Sequence, residues 1–148
     1  MKIINEFLSN KDIAVIGAST NKKKFGYIVF EALRKKQFNV FPVNPHNADI
    51  EGIQCYPDIF SLPKNVRAAV FITKPEITLN VVKQICNRGV IKYLWFQQGA
   101  EDKDAIAIAE QNGMKVIHGE CILMFIKSSI FPHNMHGFFR KLFGKYPK

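Results

Sequence analysis

Several things are scarce in this sequence, and each scarcity removes a class of protein. Cysteine occurs three times, as Cys55, Cys86 and Cys121. An odd number at wide spacing supports neither a disulfide framework nor a zinc site, and it fits reduced thiols. No apolar run reaches the roughly 18 residues that a membrane-spanning helix needs. The stretch Met1 to Asp12 holds Glu6 and Asp12 and has no long apolar segment after a basic start, which argues against a signal peptide. The expected location is the cytoplasm. Low-complexity tracts and internal repeats are absent. Acidic residues are few, 12 against 21 Lys and Arg, so the net charge is +9. That balance favours anionic partners (phosphates, nucleic acid or acidic lipid) without choosing among them.

What is present is a core. The 148 residues suit one domain, 47% are apolar, and 13 are Phe. Ile13–Ile16 is a short apolar run ending at Gly17, the mark of a buried parallel strand. From Gly26 to Lys36, the residues Ile28, Val29, Ala32 and Leu33 share a helical face. Asn39–Val43 reads as strand 2, its Pro42 suited to an edge or a strand end. Ile53–Tyr56 is a possible short strand, and Pro57–Leu62 suggests a helical turn or two. Ala68–Ile72 is the third main strand. A helix begins at Pro75, carries Ile77, Val81, Val82 and Ile85 on one face, and stops at Gly89. Tyr93–Phe96 is strand 4, Asp104–Gln111 a helix, and Lys115–Ile117 strand 5.

Strand and helix thus alternate. This pattern predicts a doubly wound α/β sheet of about five parallel strands with helices on both faces. The expected strand order is 3-2-1-4-5. Ligands of such sheets bind at the carboxyl ends of the strands, where the order reverses. The loops to watch are therefore Gly17–Gly26, Asn44–Asn47, Thr73–Pro75, Gln97–Glu101 and His118–Cys121.

The first loop carries the clearest signal. Gly17-Ala18-Ser19-Thr20 follows strand 1, and Phe25-Gly26 opens the next helix. Gly17 permits a tight turn, and Ser19 and Thr20 offer hydroxyls. Backbone amides at a helix start, with the helix dipole, favour a phosphate. Lys22, Lys23 and Lys24 add charge. Any parallel α/β protein needs strand–Gly–helix turns, so this loop alone does not decide between structure and binding. A NAD site is disfavoured: the loop lacks G-x-G-x-x-G, and strand 2 ends in Val43-Asn44-Pro45 without a carboxylate. The P-loop pattern G-x-x-x-x-G-K-[ST] is also missing.

Five segments occur in order: Ala14-Val15-Ile16-Gly17-Ala18-Ser19, Phe25-Gly26, Phe41-Pro42-Val43-Asn44-Pro45, Leu94-Trp95-Phe96-Gln97-Gln98-Gly99, and Val116-Ile117 leading to Cys121. Together they resemble the stand-alone CoA-binding domain family, related to the N-terminal domain of the succinyl-CoA synthetase alpha subunit. The likeness covers roughly residues 10 to 125. It implies a Rossmann-like fold over residues 1–125, with residues 126–148 as a basic amphipathic extension. The implied ligand is coenzyme A or an acyl-CoA. Gly17, Ala18, Ser19 and Gly26 would face its pyrophosphate, with Thr20, Lys24 and Phe25 in the same loop. One of Lys22 to Lys24 would meet the 3′-phosphate. Val43, Asn44 and Pro45 would lie near the adenosine end, and Thr73, Lys74 and Pro75 would border the adenine or ribose. Gln98 and Gly99 would line the opposite side of the cleft, with Trp95 adjoining it. Where many family members have an acidic-basic pair before the last cysteine, this chain has Gly119-Glu120-Cys121, which puts any role of that pair in doubt. The synthetases' second, histidine-bearing domain is lacking here, so synthetase activity is expected to be absent and a binding module is favoured over an enzyme.

Other candidates stay open. Cys121 either packs as a small apolar residue or serves CoA-linked redox or acyl-transfer chemistry as a lowered-pKa nucleophile. His133 and His136 are spaced for one helical face, but no further ligand lies nearby, so no metal site is expected. The tail's Met135, Phe138, Phe139, Leu142 and Phe143 form an amphipathic pattern among basic residues. It suits docking on its own domain or on a second subunit, an acidic membrane, or nucleic acid, and a nucleotide-binding regulatory domain with this basic interaction tail is a further alternative.

Overall fold

The computed structural model describes residues 2–126. Its centre is the strand β1, Asp12–Ile16, whose residues from Ile13 to Ile16 are all buried. Apolar residues on both sides of a strand require cover on both faces of the sheet. Alternate residues supply it. Ile13 and Val15 enter one apolar layer, and Ala14 and Ile16 enter the other.

The first layer is made by α1 (Lys2–Leu8) and α2 (Phe25–Lys35). There Phe7, Val29, Phe30 and Leu33 pack with Ile13, Val15, Val70 and Trp95. The second is made by α3 (Pro75–Arg88) and α4 (Lys103–Gln111). Val82, Ile85, Ala105 and Ala109 meet Ala14, Phe71, Leu94 and Phe96 there. Helices therefore cover both faces, as alternating strand and helix imply.

The remaining strands are β2 (Asn39–Val43), the two-residue pair β3 (Asp49–Ile50) and β4 (Ile53–Gln54), then β5 (Ala68–Phe71), β6 (Tyr93–Phe96) and β7 (Lys115–His118). Five of these form one parallel sheet in the order β2-β1-β5-β6-β7. The expected order, 3-2-1-4-5, is corrected on one point. The third main strand, β5, pairs with β1 and not beyond β2. The flank of β2 is taken by the return of the β3–β4 hairpin. Tyr56 forms a parallel bridge with Val43 and donates its amide to the Pro42 carbonyl, and Asn44 donates to the Tyr56 carbonyl. With that side occupied, β5 crosses to the other side of β1. The order then reverses between β1 and β5.

The helix α1 has no counterpart in the sequence reading. Phe7 holds it, with its ring edge-on to Trp95 at a centroid distance of 5.3 Å. Among the described residues, no helix is long and apolar enough to cross a membrane. The tail expectations, including His133 and His136, lie outside the described residues.

Candidate functional site

The carboxyl ends of β1, β2, β5 and β6 surround a cavity of about 1040 Å³. It sits at the point where the strand order reverses. Five chain segments reach it: Gly17, Ala18, Ser19, Lys24, Phe25 and Gly26 after β1; Val43, Asn44 and Pro45 after β2; Pro57, Asp58 and Ile59 after the β3–β4 hairpin; Thr73, Lys74 and Pro75 after β5; Gln98 and Gly99 after β6. Loops separated along the chain thus converge as the sequence pattern suggests. Two expected residues do not join them: Thr20 and Cys121 are not among the lining residues.

The first loop is shaped by close backbone approach. Gly17 has φ +94°, and a Cβ there would strike the Ile72 carbonyl. A Cβ on Gly26 would overlap the Gly17 carbonyl. Both glycines are therefore needed to bring the start of α2 against the ends of β1 and β5. Between them the chain ties itself down. Asn21 donates its amide to Ser19 Oγ at 3.0 Å, Lys23 donates to Asn21 Oδ1 at 3.0 Å, and Lys24 donates to the Asn21 carbonyl. Gly17 donates to the Val43 carbonyl. Those four amides are occupied and are not on offer to an anion.

That start is unusual. The N-cap of α2 is Lys24 and the N-cap of α3 is Lys74, and no side chain caps either helix. Lysine has no acceptor with which to satisfy the first amides of a helix. Both lysines line the cavity, so two positive helix ends and two basic residues border it. Lys22 is differently placed, 4.0 Å from Glu51 at the tip of the β3–β4 hairpin. The same Glu51 oxygen accepts the Tyr27 hydroxyl at 2.6 Å. That hydrogen bond is the main cause of a Tyr27 pKa pushed up to about 12.

Asn44 works as a brace. Its Nδ2 donates to the Ala18 carbonyl at 2.8 Å, and its Oδ1 accepts the His46 amide at 2.7 Å. Sequence spacing placed it in the site but gave no sign of this role. The apolar wall was also missed. Ile77 and Val81 were read as core residues of α3, yet they line the cavity with Ile59, and Ile77 is 45% exposed. The buried face of α3 is instead Thr78, Val82 and Ile85.

Trp95 and Cys121 belong to the layer of α1 and α2. Trp95 is fully buried and donates Nε1–H to the Glu120 carbonyl at 3.0 Å, so it does not adjoin the cavity. Cys121 is also buried, and desolvation pushes its thiol up, with the Gln97 side chain pulling weakly the other way. A raised pKa is the reverse of what an activated nucleophile needs. Gln97 fixes the turn after β7 by accepting the Ile122 amide at 2.7 Å.

A reversing parallel sheet with uncapped helix starts at its switch point defines a Rossmann-like α/β domain. The chain matches the CoA binding domain family over residues 11–127, and it belongs to that family. Among curated proteins it is 28% identical over 130 residues to the alpha subunit of acetate–CoA ligase [ADP-forming] II from Pyrococcus furiosus, covering 81% of this chain and 28% of that one. It is 30% identical over 124 residues to acetate–CoA ligase [ADP-forming] I from Archaeoglobus fulgidus, covering 77% and 18%. The chain thus spans less than a third of the length of these relatives. Among solved structures, a conserved hypothetical protein from Pyrococcus furiosus aligns with a TM-score of 0.73 and 41% identity, over 76% of this chain and 97% of that one.

Proposed function

We propose that the protein binds coenzyme A or an acyl-CoA in the cavity at the carboxyl edge of its sheet. The observation that carries this reading is the pair of lysine-led, uncapped helix starts at α2 and α3, both facing one cavity beside Gly17 and Gly26. A diphosphate supplies acceptors for helix-start amides that no side chain caps, Pro75 contributing none, and the two glycines let the start of α2 close onto the strand ends beside it. Lys24 and Lys74 are the cations assigned to its charge. Lys22 is assigned to the hairpin through Glu51. Val43, Asn44 and Pro45, with Thr73 and Pro75, border the adenosine half, and Gln98 and Gly99 border the far side. The site is one of binding. The buried Cys121 thiol, in the other layer, is given no covalent step.

The test is calorimetric titration with CoA, dephospho-CoA and pantetheine. Emission from Trp95 is a poor reporter, because that ring is buried away from the cavity. CoA and dephospho-CoA should bind, and pantetheine, which has no diphosphate, should not. Equal binding of pantetheine, or no heat from any of the three at millimolar concentration, overturns the proposal.

A further inference from the structure

Among the described residues, the buried polar side chains are Gln97 and Thr78. Gln97 holds the turn after β7. Thr78 lies on the buried face of α3 with Val82 and Ile85, where a valine would fill the same space with no hydroxyl to satisfy. The Thr78 hydroxyl is engaged twice. It donates to the Lys74 carbonyl at 3.2 Å and shares a 2.6 Å bond with the Thr73 hydroxyl. The first bond is the ordinary return of a helical threonine to the carbonyl four residues back. The second leaves the helix and reaches the turn after β5, at a half-buried residue that lines the cavity.

Counting hydrogens fixes the direction of this pair. A hydroxyl carries one hydrogen, and a carbonyl only accepts. With the Thr78 hydrogen on Lys74, the bond between the threonines takes its hydrogen from Thr73. Thr73 Oγ1 then keeps only lone pairs: it can accept from a ligand but has nothing to donate. The rotamer is pinned from the other side, where Thr73 Cγ2 would stand 3.0 Å from a Cβ at Gly17. Phosphate oxygens accept as well, so the diphosphate is excluded as the partner of this oxygen. Beyond the turn, the cavity wall is apolar through Ile77 and Val81 of α3 and Ile59. Such a wall suits the flat face of a base better than the hydroxyls of a ribose. The donor that adenine brings is its exocyclic amino group. Resting on the CoA reading above, we infer that Thr73 selects an aminopurine over an oxopurine and that Thr78 is the positioning residue that makes it do so.

The experiment is calorimetric titration of the full chain with CoA and with its hypoxanthine counterpart, which has an oxygen in place of the amino group. The parent should bind CoA at least about tenfold more tightly, because the analogue loses one hydrogen bond and sets two acceptors face to face. Thr78→Val frees the Thr73 hydrogen to turn toward the ligand. The preference should then shrink to about threefold or less, chiefly through tighter binding of the analogue. Thr78→Ser keeps the relay and should keep the full preference. Thr73→Val should weaken CoA about tenfold and erase the preference, and it decides the matter should Thr78→Val fail to fold. Equal binding of the two ligands by the parent overturns the inference. So does a preference that Thr73→Val leaves unaltered, or a Thr78→Val variant in which both affinities fall by the same factor, the mark of a purely structural residue. If the parent binds neither ligand, the CoA reading itself fails; if it binds both alike, that reading stands and only this inference falls.

Discussion

Helix α4 begins in a way that α2 and α3 do not. Its N-cap, Asp102, accepts the Ala105 amide at 2.9 Å and so closes the helix start from within. The starts of α2 and α3 are led by Lys24 and Lys74 and are left uncapped by any side chain. All three helices follow strands at the same edge, but the two uncapped ones line the cavity and Asp102 does not. The difference separates two demands on a helix start. An internal carboxylate cap stabilises the fold and repels an anion, whereas a lysine at the cap leaves fold stability unimproved and the helix end positive.

The comparison breaks most severely at Gly26. Gly26→Ala sets a methyl against the Gly17 carbonyl, which is backbone and cannot turn aside. We expect a loss of about 1–3 kcal/mol in urea unfolding and no calorimetric binding of CoA. Unchanged stability would mean that α2 can lift away freely. Next is Lys24→Asp, which gives α2 the cap that α4 already has. CoA affinity should fall at least about tenfold, since one helix-end anion site and one cation are lost, while stability rises by up to about 1 kcal/mol. A variant that gains stability and keeps its affinity would remove α2 from the site. The reciprocal change, Asp102→Ala, should cost about 1 kcal/mol of stability and leave CoA affinity untouched.

The smallest effect concerns the hairpin beside α2. Tyr27 is raised to about 12, chiefly by its bond to Glu51. The folded state then holds this proton more tightly than the unfolded chain, whose tyrosine titrates near 10. The contribution is fully present below about pH 10 and is lost as pH rises through about 12. Unfolding midpoints measured across that window should fall more steeply for the parent than for Tyr27→Phe. Parallel curves would show that the bond adds nothing.

The strands and helices that bury both faces were readable because their apolar residues recur with the right period. Ile13–Ile16 and Leu94–Phe96 illustrate this for the sheet. The short helix α1 was not readable, since seven residues hold too few periods, and Phe7 against Trp95 keeps it in place. Strand order failed at one point because it was decided by Tyr56 and its backbone bonds to Pro42 and Asn44. Four of the site's five converging segments were legible as loops ending strands; Pro57, Asp58 and Ile59 were not. The direction of each side chain was not. Period-2 alternation separates Trp95 from Phe96 but leaves open which of them faces the cavity's layer. Asn44 was expected near the adenosine end of a ligand; it lines the cavity and also holds Ala18.

The Asn44 brace has a mechanical consequence. One side chain grips the Gly17–Gly26 loop at Ala18, while the backbone amide of the same residue grips Tyr56. Loop and hairpin are thereby tied to one residue. Occupancy of the loop should then slow deuterium uptake across residues 49–56, where no ligand atom need touch the chain.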